Sequence, residues 1–183
     1  MYIDDTVYTG RPAERRTDAE EAIYQKLDEL SIPYIRVDHD HADTMEDCRN
    51  IEAQLGAPIC KNLFLCNRQQ TQFYLLMMDA QKPFKTKFLS AQLGCARLSF
   101  ADGVHMAEYL HTVPGSVSAL ELLFDTQTHV QLVIDKPLLQ QEYISAHPGL
   151  STSTLRLKRE DLLTYVRACQ HEPVLVELPV EEE

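Results

Sequence analysis

The sequence predicts a mixed α/β domain of the α+β kind, with a central mixed sheet flanked by helices. Three observations lead there. Short apolar runs of strand length are interleaved with stretches whose apolar residues recur at helical spacing. Capping residues and glycine or proline stops bracket those helical stretches. The interleaving follows no repeating strand–helix unit, which argues against a Rossmann arrangement. At 183 residues the chain has the length of one domain with a sizeable core. No repeat, linker or low-complexity segment divides it. Residues 1–183 are therefore read as a single domain, with an irregular lead-in over 1–16 and an acidic tail over 179–183.

Each element has its own reason. Gly10 and Pro12 break periodicity in the lead-in. Thr17, three residues before Glu20, is a capping signature, and Ile23, Leu27 and Leu30 then form one apolar stripe of a helix that Pro33 ends. Tyr34–Val37 reads as a strand. Thr44 and Asp47 open a second helix that runs to Leu55 and stops at Gly56. Asn62–Cys66 and Gln72–Met78, joined by a polar turn, form a predicted hairpin. A helix over 84–93 closes at Gly94, a short strand or turn spans Arg97–Phe100, and another helix spans Asp102–Leu110. Pro114-Gly115-Ser116 is a turn. Strands follow at Val130–Ile134, Glu142–Ala146 and Thr152–Leu157, with a bend at His147-Pro148-Gly149 between the last two. A helix over Glu160–Cys169 and a strand over Val174–Leu178 complete the order.

Composition narrows the function. No apolar run approaches the roughly 20 residues that cross a bilayer, and the polar, acidic start does not read as a secretory signal. No membrane partner and a cytoplasmic location are the expectations. Five cysteines without a CxxC pair suggest reduced thiols acting as small hydrophobes rather than disulfides or a zinc site. The formal net charge of -11 argues against non-specific nucleic-acid binding. Residues 58–101 nevertheless carry a local balance of +5, leaving -16 for the remainder. That pattern fits a focused phosphate site or a solvated helix face.

The common nucleotide-loop, zinc-protease and serine-hydrolase signatures are missing. His39-Asp40-His41 offers two imidazoles without an obvious third ligand, so neither metal nor cofactor is expected. Two places are more informative. Lys61 puts a cation at the mouth of the apolar strand Asn62-Leu63-Phe64-Leu65, where a lysine is ordinarily just solvated. The bends at Gly115-Ser116 and His147-Pro148 can bring backbone amides and an imidazole to one cleft, the amides facing an oxyanion.

Taken in order, these blocks resemble the YbaK/ProX superfamily, particularly its ProX branch of prolyl-tRNA editing proteins. The resemblance rests on His39 and Thr44 after the first strand, Lys61-Asn62-Leu63-Phe64-Leu65, and Leu93-Gly94 with Arg97-Leu98-Ser99-Phe100-Ala101. It continues through Pro114-Gly115-Ser116-Val117 and His147-Pro148 to the closing helix and strand, covering about residues 20–178. Two departures stand out. Ala119 replaces a loop proline, and Gly149 and Ser151 stand where the family has asparagines, while Thr152 and Thr154 are retained.

The resemblance implies hydrolysis of the ester between a mischarged small amino acid and tRNA, foremost alanine on proline tRNA. Such an ester is already activated, so positioning and oxyanion stabilisation suffice without a catalytic triad. It also implies catalytic roles for Lys61, Gly115 and Ser116, and substrate contacts from Asn62, His39, Thr44, Val117, His147, Ser151 and Thr152. Lys61 would meet the terminal phosphate or the carbonyl region, in one cleft with Gly115 and His147. The implied partners are the acceptor end of mischarged tRNA and prolyl-tRNA synthetase. The departures around the pocket leave serine or cysteine as alternative residues removed. A non-catalytic module that binds tRNA or the synthetase, and an ester hydrolase unrelated to tRNA, are the rival readings.

Overall fold

The computed structural model describes residues 1–42 and 44–180; the end of the acidic tail, Glu181–Glu183, lies outside the described residues. Among the described residues, nine strands and five α-helices follow one another irregularly. The strands divide into two sheets, not the single central sheet expected from the sequence. The larger is mixed, with order β5-β3-β4-β6-β9, and comprises β3 (Cys60–Cys66), β4 (Phe73–Asp79), β5 (Ser99–Phe100), β6 (Val130–Asp135) and β9 (Val174–Val176). The smaller is antiparallel, with order β1-β2-β8-β7, and comprises β1 (Tyr8–Thr9), β2 (Ile35–Asp38), β7 (Tyr143–Ala146) and β8 (Ser153–Lys158).

Local chemistry accounts for most boundaries. Thr17 caps α1 (Asp18–Glu29) by accepting the Glu20 N–H. Thr44 and Asp47 form a reciprocal capping box on α2 (Met45–Leu55), and Gly56 ends it with a left-handed φ of 73°. The predicted hairpin is present as β3–β4, in a register pairing Lys61 with Met78 and Asn62 with Met77. Helices α3 (Thr86–Leu93), α4 (Gly103–Leu110) and α5 (Arg159–Ala168) lie where the periodicity places them. Two features were not anticipated. The lead-in is not wholly irregular, because β1 pairs with β2 and Ile3 bridges His39. The apolar stretch Ala119–Phe124 forms a 3-10 helix with its own capping box, Ser118 to Glu121.

The core has two parts, on opposite faces of the larger sheet. One face presents Cys60, Phe64, Cys66, Phe73, Leu75 and Met77 to α1, α4, α5 and the inner side of the smaller sheet. The other presents Leu65, Leu76, Met78, Val133 and Val176 to Leu89 of α3 and to Leu178. Because strand side chains alternate, even-numbered residues of β3 face the first cluster and odd-numbered ones the second.

The sheets meet where β3 begins. The Cys60 N–H donates to Ser145 Oγ at 3.3 Å, and that hydroxyl donates to the Pro58 carbonyl at 2.7 Å. Strand β5 pairs with Leu65 and Cys66, so among the described residues no strand is paired with the Cys60–Leu63 stretch of β3 on that side.

Candidate active site

The junction of the two sheets holds a compact set of polar side chains. His39, just after β2, is buried, and its Nε2 lies 2.7 Å from Thr154 Oγ1 on β8. His147, at the end of β7, has Nδ1 3.0 Å from the Ser153 carbonyl, so Nδ1 carries the hydrogen and donates. Nε2 is then an acceptor, and it has no hydrogen-bond partner among the described residues. The two rings are edge to face at 6.4 Å. Burial pushes the His147 imidazole down to about 4 and lowers His39 as well. Both are therefore neutral at physiological pH, because desolvation of the buried His39 and the half-buried His147 penalises the charged form.

A small recess of about 10 Å³, room for a single water, opens here, lined by Ile59, Cys60, Asn62, Ser145, Ala146, His147 and Thr154. Asn62 reaches it from the even-numbered face of β3, and its buried Oδ1 lacks a hydrogen-bond partner among the described residues. An unsatisfied buried carbonyl costs about 1–3 kcal/mol, and a ligand N–H or O–H would recover that.

The loop after α4 borders the same junction. Gly115 has φ +88°, and a Cβ there would meet no atom within 4 Å, so open space adjoins the backbone. The Ser116 N–H closes the turn onto the Val113 carbonyl at 3.0 Å, leaving the Gly115 and Val117 amides without partners among the described residues. Ser116 Oγ accepts the Ser151 N–H at 3.1 Å, and Thr112 Oγ1 donates to the Gly149 carbonyl at 3.0 Å. These bonds clamp the loop to the segment after His147. Ser118 adds a third tie, donating to the His147 carbonyl at 2.7 Å.

The residues predicted from the sequence thus fall into groups. His39, Asn62, His147, Ser151 and the Gly115–Val117 loop come together. His41 pairs with the Ser151 hydroxyl, while Thr152 contributes its carbonyl to the His39 N–H at 2.9 Å. Thr44 caps α2. Ser116 is 1% exposed with its hydroxyl engaged, so it braces the loop instead of presenting a nucleophile. Lys61 is not brought to the recess. Its register position faces Leu63, Leu65 and Met78, and Nζ donates to the Lys82 carbonyl at 2.8 Å. The expectation that its ammonium shares a cleft with His147 is corrected by strand alternation: it flanks the open edge of β3 from the other face.

Sequence reasoning did not single out Ser118, Ser145 and Glu121, and noted Thr154 only as a retained threonine. The capping pattern Ser118-x-x-Glu121 was the readable signal for two of them. The departures also have local explanations. Ala119 is fully buried at the start of the 3-10 helix. Gly149 has φ +94°, and a Cβ there would lie 3.4 Å from Ile23 Cδ1 and 3.5 Å from the Glu20 nitrogen. Those are ordinary contacts with α1, so the left-handed backbone at Gly149, and not a lack of space, is what favours glycine over asparagine there. Among the described residues, no group of three side chains could hold a metal ion, and no helix is long and apolar enough to cross a membrane.

Known proteins share the sequence pattern and the fold. A family model described as the aminoacyl-tRNA editing domain matches residues 39–165. The prolyl-tRNA editing protein ProX of Acetoanaerobium sticklandii is 35% identical over 151 residues, covering 82% of this chain and 92% of that protein. Prolyl-tRNA synthetase associated domain-containing protein 1 of Danio rerio is 28% identical over 169 residues, covering 91% of each chain. A crystal structure described as a candidate trans-editing enzyme for prolyl tRNA synthetase shares the fold, with TM-score 0.67 at 14% identity over 90% of this chain and 98% of that one. With the family model spanning more than half of its length, the chain belongs to the aminoacyl-tRNA editing domain family, in its ProX-type branch, and is an aminoacyl-tRNA deacylase.

Proposed function

We propose that this deacylase removes a mischarged small amino acid from proline tRNA, alanine foremost, and that the junction recess receives the aminoacyl end. The observation that carries the reading is a neutral, half-buried His147 with an unpaired Nε2, lining a small recess with Asn62 and tied by its carbonyl to Ser118 of the loop that bears the Gly115 and Val117 amides. A water held by Nε2 attacks the ester carbonyl. Its oxygen bonds to the carbonyl carbon while the Gly115 and Val117 N–H groups take up the developing oxyanion. The carbon–oxygen bond to ribose then breaks, and the proton lost by the water ends on the departing ribose oxygen. A histidine held near 4 is a weak base, which suits an ester that needs orientation more than deprotonation.

Lys61 has no carboxylate partner among the described residues, so its charge is uncompensated at the open edge of β3. From there it meets a phosphate of the tRNA end, while Asn62 and His147 serve the amino acid on the other face. Replacing Lys61 with Ala is expected to raise KM for charged tRNA about tenfold and to change kcat less. His39, Ser151 and Thr152 hold the recess walls, and Thr44 contributes by fixing α2 beside them. Relatives bear names that link them to prolyl-tRNA synthetase, and that synthetase is the proposed source of the mischarged substrate.

Selection is by size. A hydrophobic pocket discriminates one methylene by only about 1–3 kcal/mol, so exclusion of the cognate proline requires walls that do not yield. Comparing deacylation of alanyl-, seryl-, cysteinyl- and prolyl-tRNA tests this directly. Alanine is expected to be cleaved fastest and proline spared; cleavage of the cysteinyl ester alone would overturn the alanine assignment.

A further inference from the structure

We infer that a groove on the edge of the larger sheet, walled by Arg68, Arg97, Ser99 and Phe100, seats the single-stranded 3′ nucleotides of the charged tRNA. The inference rests on the editing reading, because it assigns part of the same substrate to a second surface. The groove has a volume of about 680 Å³ and is also lined by Thr86 and Leu98, with no carboxylate among its lining residues. In a chain of net charge -11, that is a local reversal of sign. Arg68 and Arg97 are exposed and make no ion pair or hydrogen bond among the described residues, so both guanidinium groups are available to phosphates. The next acid along the chain, Asp102, is occupied in accepting from the His105 backbone N–H at 2.9 Å and from the His105 ring.

Phe100 supplies what charge alone does not. Its ring is 61% exposed, an unusual position for a phenylalanine, and Phe84 backs it edge to face at 6.3 Å. A braced, exposed aromatic between two free arginines is the combination that stacks a base and neutralises its phosphates. Folding does not require the ring to face water, since it leaves apolar area uncovered.

The groove also leads to the recess. Phe100 pairs with Leu65, and the Ala101 N–H donates to the Phe64 carbonyl at 2.9 Å. Asn62 lies three residues back along the same strand, roughly 10 Å at about 3.3 Å per residue. After Phe100 the chain enters α4, whose Gly103 packs against Pro114 of the amide-bearing loop. The neighbours of that contact, Val104 and Val113, are 73% and 51% exposed, and continue the apolar path from Phe100 toward Gly115. A strand of nucleotides lying in the groove would therefore deliver its terminal ribose to the open edge of β3.

The test uses fluorescein-labelled uncharged proline tRNA, and the same tRNA lacking its single-stranded 3′ nucleotides, in anisotropy titrations with the full chain. Wild type is expected to bind the intact tRNA more tightly than the shortened one. Phe100→Ala is expected to weaken binding of the intact tRNA about tenfold and leave the shortened one unchanged, with Phe100→Trp restoring the difference. Arg68→Gln with Arg97→Gln is expected to lower the salt dependence by about 0.7 for each phosphate that is no longer neutralised. Arg167→Gln, whose guanidinium is already paired with Glu172, is the control and should change nothing. Equal affinity of wild type and Phe100→Ala for the intact tRNA would overturn the groove. Deacylation of alanyl-tRNA by wild type, measured alongside, separates the two ideas. Turnover with no effect of the groove variants refutes the groove alone, whereas groove-dependent binding without turnover refutes the editing reading alone.

Discussion

At Ser118 the hydrogen-bond count requires a proton from elsewhere. The hydroxyl has one hydrogen but sits within bonding distance of two oxygens, Glu121 Oε2 and the His147 carbonyl, the latter at 2.7 Å. If Ser118 donates to His147, Glu121 must itself carry the hydrogen and donate to Ser118. Burial supports this, since the fully buried carboxyl is pushed well above the usual carboxylate range. A protonated Glu121 thus steadies the main chain of His147 through Ser118. The consequence for stability has a definite sign. The folded state keeps this proton where the unfolded chain releases it, so stability falls as pH rises above the ordinary glutamate value of about 4.3. Glu121→Gln keeps a donor without the titration. Its melting temperature is expected to match wild type near pH 4 and exceed it increasingly toward pH 8; a constant difference would show that Glu121 is ionised in the fold. His147 acts in the opposite direction. Its lowered value means that stability is lost as pH falls from about 6.5 to about 4, where the unfolded imidazole charges and the folded one does not.

At the scale of elements, the loop Pro114–Ser118 and the bend His147–Ser151 act as one unit, clamped by Ser116, Thr112 and Ser118. Gly115 is the position most sensitive to change in it. Its φ of +88° costs an L side chain about 1–2 kcal/mol, although the space beyond it is open. Gly115→Ala is therefore expected to fold with a modest loss of stability and to reduce kcat at least tenfold, because relaxing φ swings the Gly115 amide. Stability and kcat both at wild-type levels would argue that the loop does not serve the oxyanion. Much of this scale was legible beforehand. The Thr44–Asp47 box, the glycine stops at Gly56 and Gly94, and the β3–β4 hairpin depend on neighbours in sequence. The strand β1 was not legible, because two residues carry no periodicity and their pairing with β2 is set at long range. The facing of Lys61 was obscured for a related reason. Leu63 and Leu65 on one side of β3 are as apolar as Cys60 and Phe64 on the other, so no polarity contrast told the two faces apart.

For the whole molecule, the division into two sheets creates the site. The seam between β3 and β7 gathers side chains from five separated segments, near residues 39, 62, 116, 147 and 154. Each segment carried a recognisable residue in the sequence, yet only the tertiary pairing makes them neighbours. Burial at the seam then sets the histidines neutral, and the incomplete cover of β3 leaves an edge at which a substrate can be met from both faces. The central claim is that hydrolysis takes place at this seam. Single-turnover deacylation of alanyl-tRNA by purified, folded His147→Ala tests it most directly. The rate is expected to fall about a hundredfold or more relative to wild type, with tRNA affinity unchanged. A rate within twofold of wild type would place the chemistry elsewhere on the molecule.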